Sequence, residues 1–160
     1  MMTDAIADSE LARVEAATMD DLPALTDLLT LLFQEASDFK PDRRKQEHGL
    51  RLILEQPSRG RIFVVRNGHH VIGMANVLFT ISTAEGGFVI LLEDVVVHPD
   101  HRRNGIGSRL MAHVIEFAQA KEFRRITLLT DRVSDVAQAF YQKLGFRQSN
   151  MVPMRLILDQ

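Results

Sequence analysis

Ten nearly unbroken apolar or β-branched residues, Phe88 to Val97, lead through His98-Pro99 into a turn holding Arg102, Arg103, Asn104, Gly105 and Gly107. Only Glu93 and Asp94 interrupt the run, and Gly86-Gly87 bounds it on the other side. Such a run reads as a strand buried on both faces. Behind the turn, Ile106, Leu110, Val114, Phe117 and Ala118 recur at helical spacing. A helix therefore opens directly from the turn and lays one face on a sheet.

Strand, glycine turn and helix make a geometry for holding an anion. The first N–H groups of a helix have no internal partner, and the helix dipole places partial positive charge on them. Gly105 and Gly107 carry no Cβ to keep a ligand away, and Arg102 and Arg103 add charge at the mouth. A pyrophosphate suits the place. The ligand is not that of a P-loop, which needs Gly-Lys-Ser/Thr. The dinucleotide fingerprint G-x-G-x-x-G is incomplete, because Leu110 stands at its third glycine. Arg102-Arg103-Asn104-Gly105-Ile106-Gly107 instead resembles the coenzyme A loop, Q/R-x-x-G-x-G/A, of the GNAT acetyltransferase superfamily.

A second stretch resembles the same superfamily. Ser134-Asp135-Val136-Ala137-Gln138-Ala139-Phe140-Tyr141-Gln142-Lys143-Leu144-Gly145-Phe146 is similar to Asn-x-x-Ala-x-x-Phe-Tyr-x-Lys-x-Gly-Phe, with Ser134 where asparagine is usual. Both residues cap helices, but serine lacks the amide that could touch a cofactor. Without the coenzyme loop, Tyr141 would read as a core tyrosine whose hydroxyl finds a partner at a sheet edge. The third element is Leu92-Glu93-Asp94-Val95-Val96-Val97. It resembles the series that precedes the loop in polyamine and amino-sugar acetyltransferases, where the glutamate serves as base. Neighbours on a strand point to opposite faces, so Glu93 and Asp94 cannot share a site unless a bulge intervenes.

The chain has 160 residues, enough for one domain with a full core. Its formal charge of −2 argues against non-specific nucleic-acid binding, and with no cysteine it has neither disulfides nor thiolate chemistry. Six histidines never fall at a metal-ligating spacing, so no metal is expected. No apolar stretch reaches the roughly 20 residues of a membrane helix, and the start, Met1 to Ala12, has no apolar h-region of a secretory signal. A soluble cytoplasmic protein is expected, with residues 1–11 as a flexible tail and 12–160 as one domain.

Along that domain the pattern predicts a strand at Arg13–Ala16, a helix through Leu22–Leu32 and a second helix near 42–55. Strands over 61–65 and 71–79 form a hairpin around Asn67-Gly68. After the central strand, loop and helix come a strand at 126–130, a helix from Ser134 ending at Gly145, and a last strand near Met154–Leu158. This is an α/β domain with a mixed, mostly antiparallel central sheet flanked by helices, and the order is similar to that of the GNAT fold.

The resemblance implies transfer of acetyl from acetyl-CoA to a primary amine by direct attack on the thioester. Glu93 would be the base, directly or through water, and Tyr141 the acid for the leaving thiolate. Val95, Val96 and Val97 would pair with pantetheine. Arg102, Arg103, Asn104, Gly105, Ile106, Gly107 and Ser108 would hold the pyrophosphate, with Ser134 and Phe140 also at the cofactor. The acceptor stays open. Glu35, Asp38 and Asp42 suit a cationic small-molecule amine or a protein lysine, while Lys40, Arg43 and Arg44 suit an anionic substrate. A small-molecule amine is favoured, and a protein lysine or N-terminal acetyltransferase is one alternative. A silent acyl-CoA sensor is the alternative from another class, and a homodimer is compatible with the sequence.

Overall fold

The computed structural model describes residues 12–36 and 38–158, so the expected tail over 1–11 lies outside the described residues. Five strands form one sheet in the order β1-β2-β3-β4-β5. They are β1 (Arg13–Ala16), β2 (Gly60–Asn67), β3 (His70–Ser82), β4 (Gly87–Val97) and β5 (Ile126–Leu128). The first four run antiparallel to their neighbours, and β5 joins β4 in parallel. That parallel step needs a crossover, which α3 (Ile106–Ala120) supplies. Helices α1 (Leu22–Glu35) and α2 (Arg43–Leu54) connect β1 to β2. The mixed, mostly antiparallel sheet with helices at its flanks is the expected fold class.

Residues up to Leu129 form one compact unit, and those from Thr130 on form a second, which carries α4 (Asp135–Lys143). In the first unit, Leu25, Leu28 and Leu29 of α1 and Leu50 of α2 pack on Ile62, Val64, Met74 and Val96 of the sheet. Burying each such side chain is worth about 1.5–3 kcal/mol. The opposite face holds an aromatic group in which Phe117 of α3 lies 5.1 Å from Phe63 and 6.0 Å from Phe79. Buried Gln46 ties the first two helices together: its Nε2 donates to the Thr26 carbonyl at 3.1 Å and to Thr30 Oγ1 at 2.9 Å. At the start of α1, Arg66 of β2 donates both Nη groups to Asp21, at 2.7 and 2.8 Å, and a further hydrogen bond to Glu15. That partnership holds the Asp21 carboxyl below its ordinary range.

One expected element is absent. Met151 to Leu158 contains no strand, and Met154, Leu156 and Leu158 are exposed. Alternating apolar residues give a strand only where a pairing edge is available, and no strand pairs with this segment among the described residues.

Candidate active site

The sheet is irregular where the acids lie. Ala75 of β3 is opposite Val95 and Val77 is opposite Leu92, so Asn76 alone faces both Glu93 and Asp94. Two residues against one is a β-bulge. It reverses the side-chain alternation of β4. Met74 and its partner Val96 point into the α1–α2 core, so Asn76 and Asp94, each two positions away, share that face. Leu92 pairs with Val77 on the α3 side, so Glu93, the next residue, also returns to the α1–α2 face. The bulge gives two adjacent carboxylates one face.

Their surroundings differ. Glu93 is exposed, which corrects the expectation of a carboxylate sealed inside a doubly buried strand. Asp94 is the half-buried acid, and its Oδ2 accepts a hydrogen bond from Asn76 Nδ2 at 2.5 Å. Burial first, and then the nearby Glu93 charge, push the Asp94 carboxyl up to about 6, against the lowering effect of Asn76. The polar group that the sequence reading missed is Asn76. Its signal was one amide in the apolar run from Val71 to Phe79.

Beyond the bulge, β4 keeps β3 on one side but loses β5 on the other. Pairing with β5 ends at Leu92–Leu128, so no strand among the described residues covers the outer edge from Glu93 to Val97. Val95 and Val97 are half-buried and Val96 is buried. The chain then turns through Pro99–His101 and the loop, where Arg103 has φ 69° and Gly105 φ 74°. Gly105 caps α3 in the left-handed conformation that favours glycine. The Arg109 N–H donates to the carbonyl of the N-cap residue, Gly105, at 3.1 Å. By helix geometry, the N–H groups of Ile106, Gly107 and Ser108 are those left for another acceptor. Ile106 anchors the turn, with its side chain 1% exposed.

Arg102 is engaged on both sides. Its Nε donates to the Val97 carbonyl at 3.0 Å, and its Nη groups donate to Glu35 at the end of α1, at 3.2 and 3.3 Å. Arg103 and Ser108 are exposed and Asn104 is half-buried. The loop residues and the β4 edge therefore form one continuous surface along the chain.

The remaining candidates lie in the second unit. Ser134 caps α4, its Oγ accepting from the Ala137 N–H at 3.3 Å. Tyr141 stands between Phe140 and Phe146, with ring centroids 5.1 and 5.7 Å away. Burial pushes its hydroxyl up to about 12. Gly145, with φ 101°, follows the helix end in the left-handed region.

A five-stranded mixed sheet whose fourth strand frees its edge beside a glycine-capped helix is the frame of an α/β acyltransferase. The sequence matches the Acetyltransferase (GNAT) family over residues 22–146. It is 30% identical over 151 residues to a glucosamine 6-phosphate N-acetyltransferase from Trypanosoma brucei brucei, covering 91% of this chain and 93% of that protein. A glucosamine 6-phosphate N-acetyltransferase from Schizosaccharomyces pombe is 32% identical over 84 residues, covering 52% of this chain and 73% of the relative. Among solved structures, an aminoglycoside N-acetyltransferase in complex with CoA superposes with a TM-score of 0.76 at 19% identity, covering 91% of this chain and 94% of that one. An aminoglycoside acetyltransferase from an uncultured soil metagenomic sample, in complex with sisomicin, gives 0.77 at 21% identity, with 94% and 98% covered. The chain belongs to the GNAT family and is an acetyl-CoA-dependent N-acetyltransferase. No helix among the described residues is long and apolar enough to cross a membrane.

Proposed function

We propose that the protein moves the acetyl group of acetyl-CoA onto the primary amine of a small molecule, with residues 12–160 acting as one catalytic domain. The observation that carries this reading is the β4 edge from Glu93 to Val97, which no strand among the described residues pairs with, running into the glycine-capped start of α3. Amides of pantetheine would extend the sheet along Val95, Val96 and Val97. The pyrophosphate would meet the N–H groups of Ile106, Gly107 and Ser108, with Arg102, Arg103, Asn104 and Gly105 around it. Ser134 and Phe140 would complete the cofactor surface.

The amine nitrogen attacks the thioester carbonyl and forms the new C–N bond. The C–S bond then breaks and coenzyme A leaves as thiolate. Glu93 takes the proton that nitrogen gives up, directly or through water. A backbone N–H released by the bulge near Val95 would steady the oxyanion. Tyr141 donates to the departing sulfur. A hydroxyl near 12 facing a thiol of ordinary pKa near 8.5 acts through its hydrogen bond more than through complete proton transfer.

A small-molecule acceptor is supported by relatives named for glucosamine 6-phosphate and by neighbours named for aminoglycosides. It is also supported by a cleft of about 540 Å³ between α1, α2 and the bulge, within the range of small-molecule sites. The test is a panel of primary amines with acetyl-CoA as donor: amino sugars, their phosphates, aminoglycosides, polyamines and a lysine peptide. Coenzyme A release driven by a small amine supports the reading. Release driven by the peptide alone would replace it with a protein-acetyltransferase reading.

A further inference from the structure

We propose that Asp94 and Asn76 form a socket that binds the acceptor's ammonium group, on the sheet side of the cleft under α1 and α2. This rests on the amine acceptor of the proposed function. Both residues line that cleft, together with Leu29, Phe33 and Leu50. Asn76 is only 2% exposed, and its Nδ2 is spent on Asp94. Its Oδ1 is buried there with no hydrogen-bond partner. A buried acceptor left unmade costs free energy, and native structures rarely keep one without a reason. The amide cannot simply turn over, because an ionised Asp94 needs the nitrogen side.

The socket therefore offers acceptors only: one amide carbonyl and a carboxylate. A ligand that satisfies it must bring N–H donors and positive charge, and an ammonium group brings both. The surrounding charges are Glu93 on β4, Asp42 and Lys45 where α2 begins, and Asp38 and Lys40 on the segment before it. Those four groups of the α2 region, two acids and two lysines, all line the cleft, whereas β3 and β4, which carry Asn76 and Asp94, bring no lysine to it. A carboxyl titrating near 6 is charged at neutral pH and gains a cation when the amine arrives. Asp94 and Asn76 are thus binding residues, and Glu93, exposed at the same bulge, is left to carry the proton.

The probe is methylammonium, titrated into the wild-type protein at constant ionic strength against sodium chloride. The side-chain amide signal of Asn76 should shift and saturate, and the carboxyl carbon of Asp94 should lower its midpoint from about 6 by at least one pH unit. No response, or the same response to sodium chloride, overturns the socket; this measurement stands even where a variant fails to fold. In Asp94→Asn the methylammonium response should vanish, and KM for any amine turned over should rise at least thirtyfold while kcat falls less than fivefold. A fall in kcat at unchanged KM would also overturn it. If the wild type takes methylammonium but no amine releases coenzyme A, the transfer reading fails and the socket stands.

Discussion

Arg102 of the loop and Glu35 at the end of α1 are joined by two hydrogen bonds, of 3.2 and 3.3 Å, across 67 positions of sequence. The pair is open to solvent, so it contributes little to stability, about 0–1 kcal/mol. Its consequence is for ligand binding, since the same guanidinium also holds the Val97 carbonyl. Arg102→Ala should weaken acetyl-CoA binding at least fivefold. Glu35→Gln, which releases the guanidinium toward a pyrophosphate, should leave affinity within threefold or raise it. Calorimetry on both variants checks this, and an equal loss in both would make Arg102 a brace rather than a ligand.

Glu93→Gln keeps size and hydrogen bonding but removes the proton acceptor. The expected result is a fall in kcat on the order of 10²- to 10⁴-fold, with KM for the amine and the acetyl-CoA dissociation constant nearly unchanged. Part of the loss should return at high pH, where more free amine is present. Steady-state kinetics in which Glu93→Gln is silent would move the base elsewhere.

Tyr141→Phe should fold normally and bind acetyl-CoA as the wild type does, because it loses one hydroxyl and keeps its place between Phe140 and Phe146. Turnover should fall at least tenfold. With its hydroxyl near 12, Tyr141 should give no basic limb to the rate profile below about pH 11. Full activity across pH would return Tyr141 to the role of a core residue.

Asp94 should make the protein less stable as pH rises. Its folded pKa, about 6, lies above the ordinary 3.8, so the native state holds the proton more tightly than the unfolded chain does. Stability contributed by protonated Asp94 is present below the ordinary value and is lost as pH rises through about 6. The difference is on the order of 3 kcal/mol before allowance for partial exposure. Asp94→Asn should remove that slope, leaving the variant more stable than the wild type at pH 8 and nearer to it at pH 4. Urea midpoints at the two pH values measure it. The Asp21–Arg66 pair works in the other direction: a lowered carboxyl stabilises above the ordinary range and is lost as pH falls, so the two contributions separate on the acid side.

Much of the fold was legible because local signals and tertiary structure agree. Arg13–Ala16 forms the expected strand, and Asn67-Gly68 turns the chain between β2 and β3, with Gly68 at φ 61°. The loop was legible because two glycines and two arginines sit at a strand-to-helix junction. The bulge was not. Counting alternate residues assumes an unbroken ladder, and only the pairing with Ala75 and Val77 reveals the extra residue on β4. Counting from the strand alone puts Glu93 and Asp94 on opposite faces, whereas the pairing puts both on one face. Asn76 escaped for a related reason, and Glu35, expected to suit a cationic amine, is instead paired with Arg102: the partners, Asp94 and Arg102, lie 18 and 67 positions away. The segment Met154–Leu158 alternates as a strand should, but a strand also needs a neighbour.

The most direct test of the account is the affinity of Gly107→Val for acetyl-CoA, measured by calorimetry on a variant whose fold is verified by circular dichroism. A branched side chain in the first turn of α3 would stand between the free N–H groups and the pyrophosphate. The account predicts at least a tenfold loss, about 1.4 kcal/mol. Wild-type affinity in the folded variant would contradict it and remove the coenzyme from the start of α3.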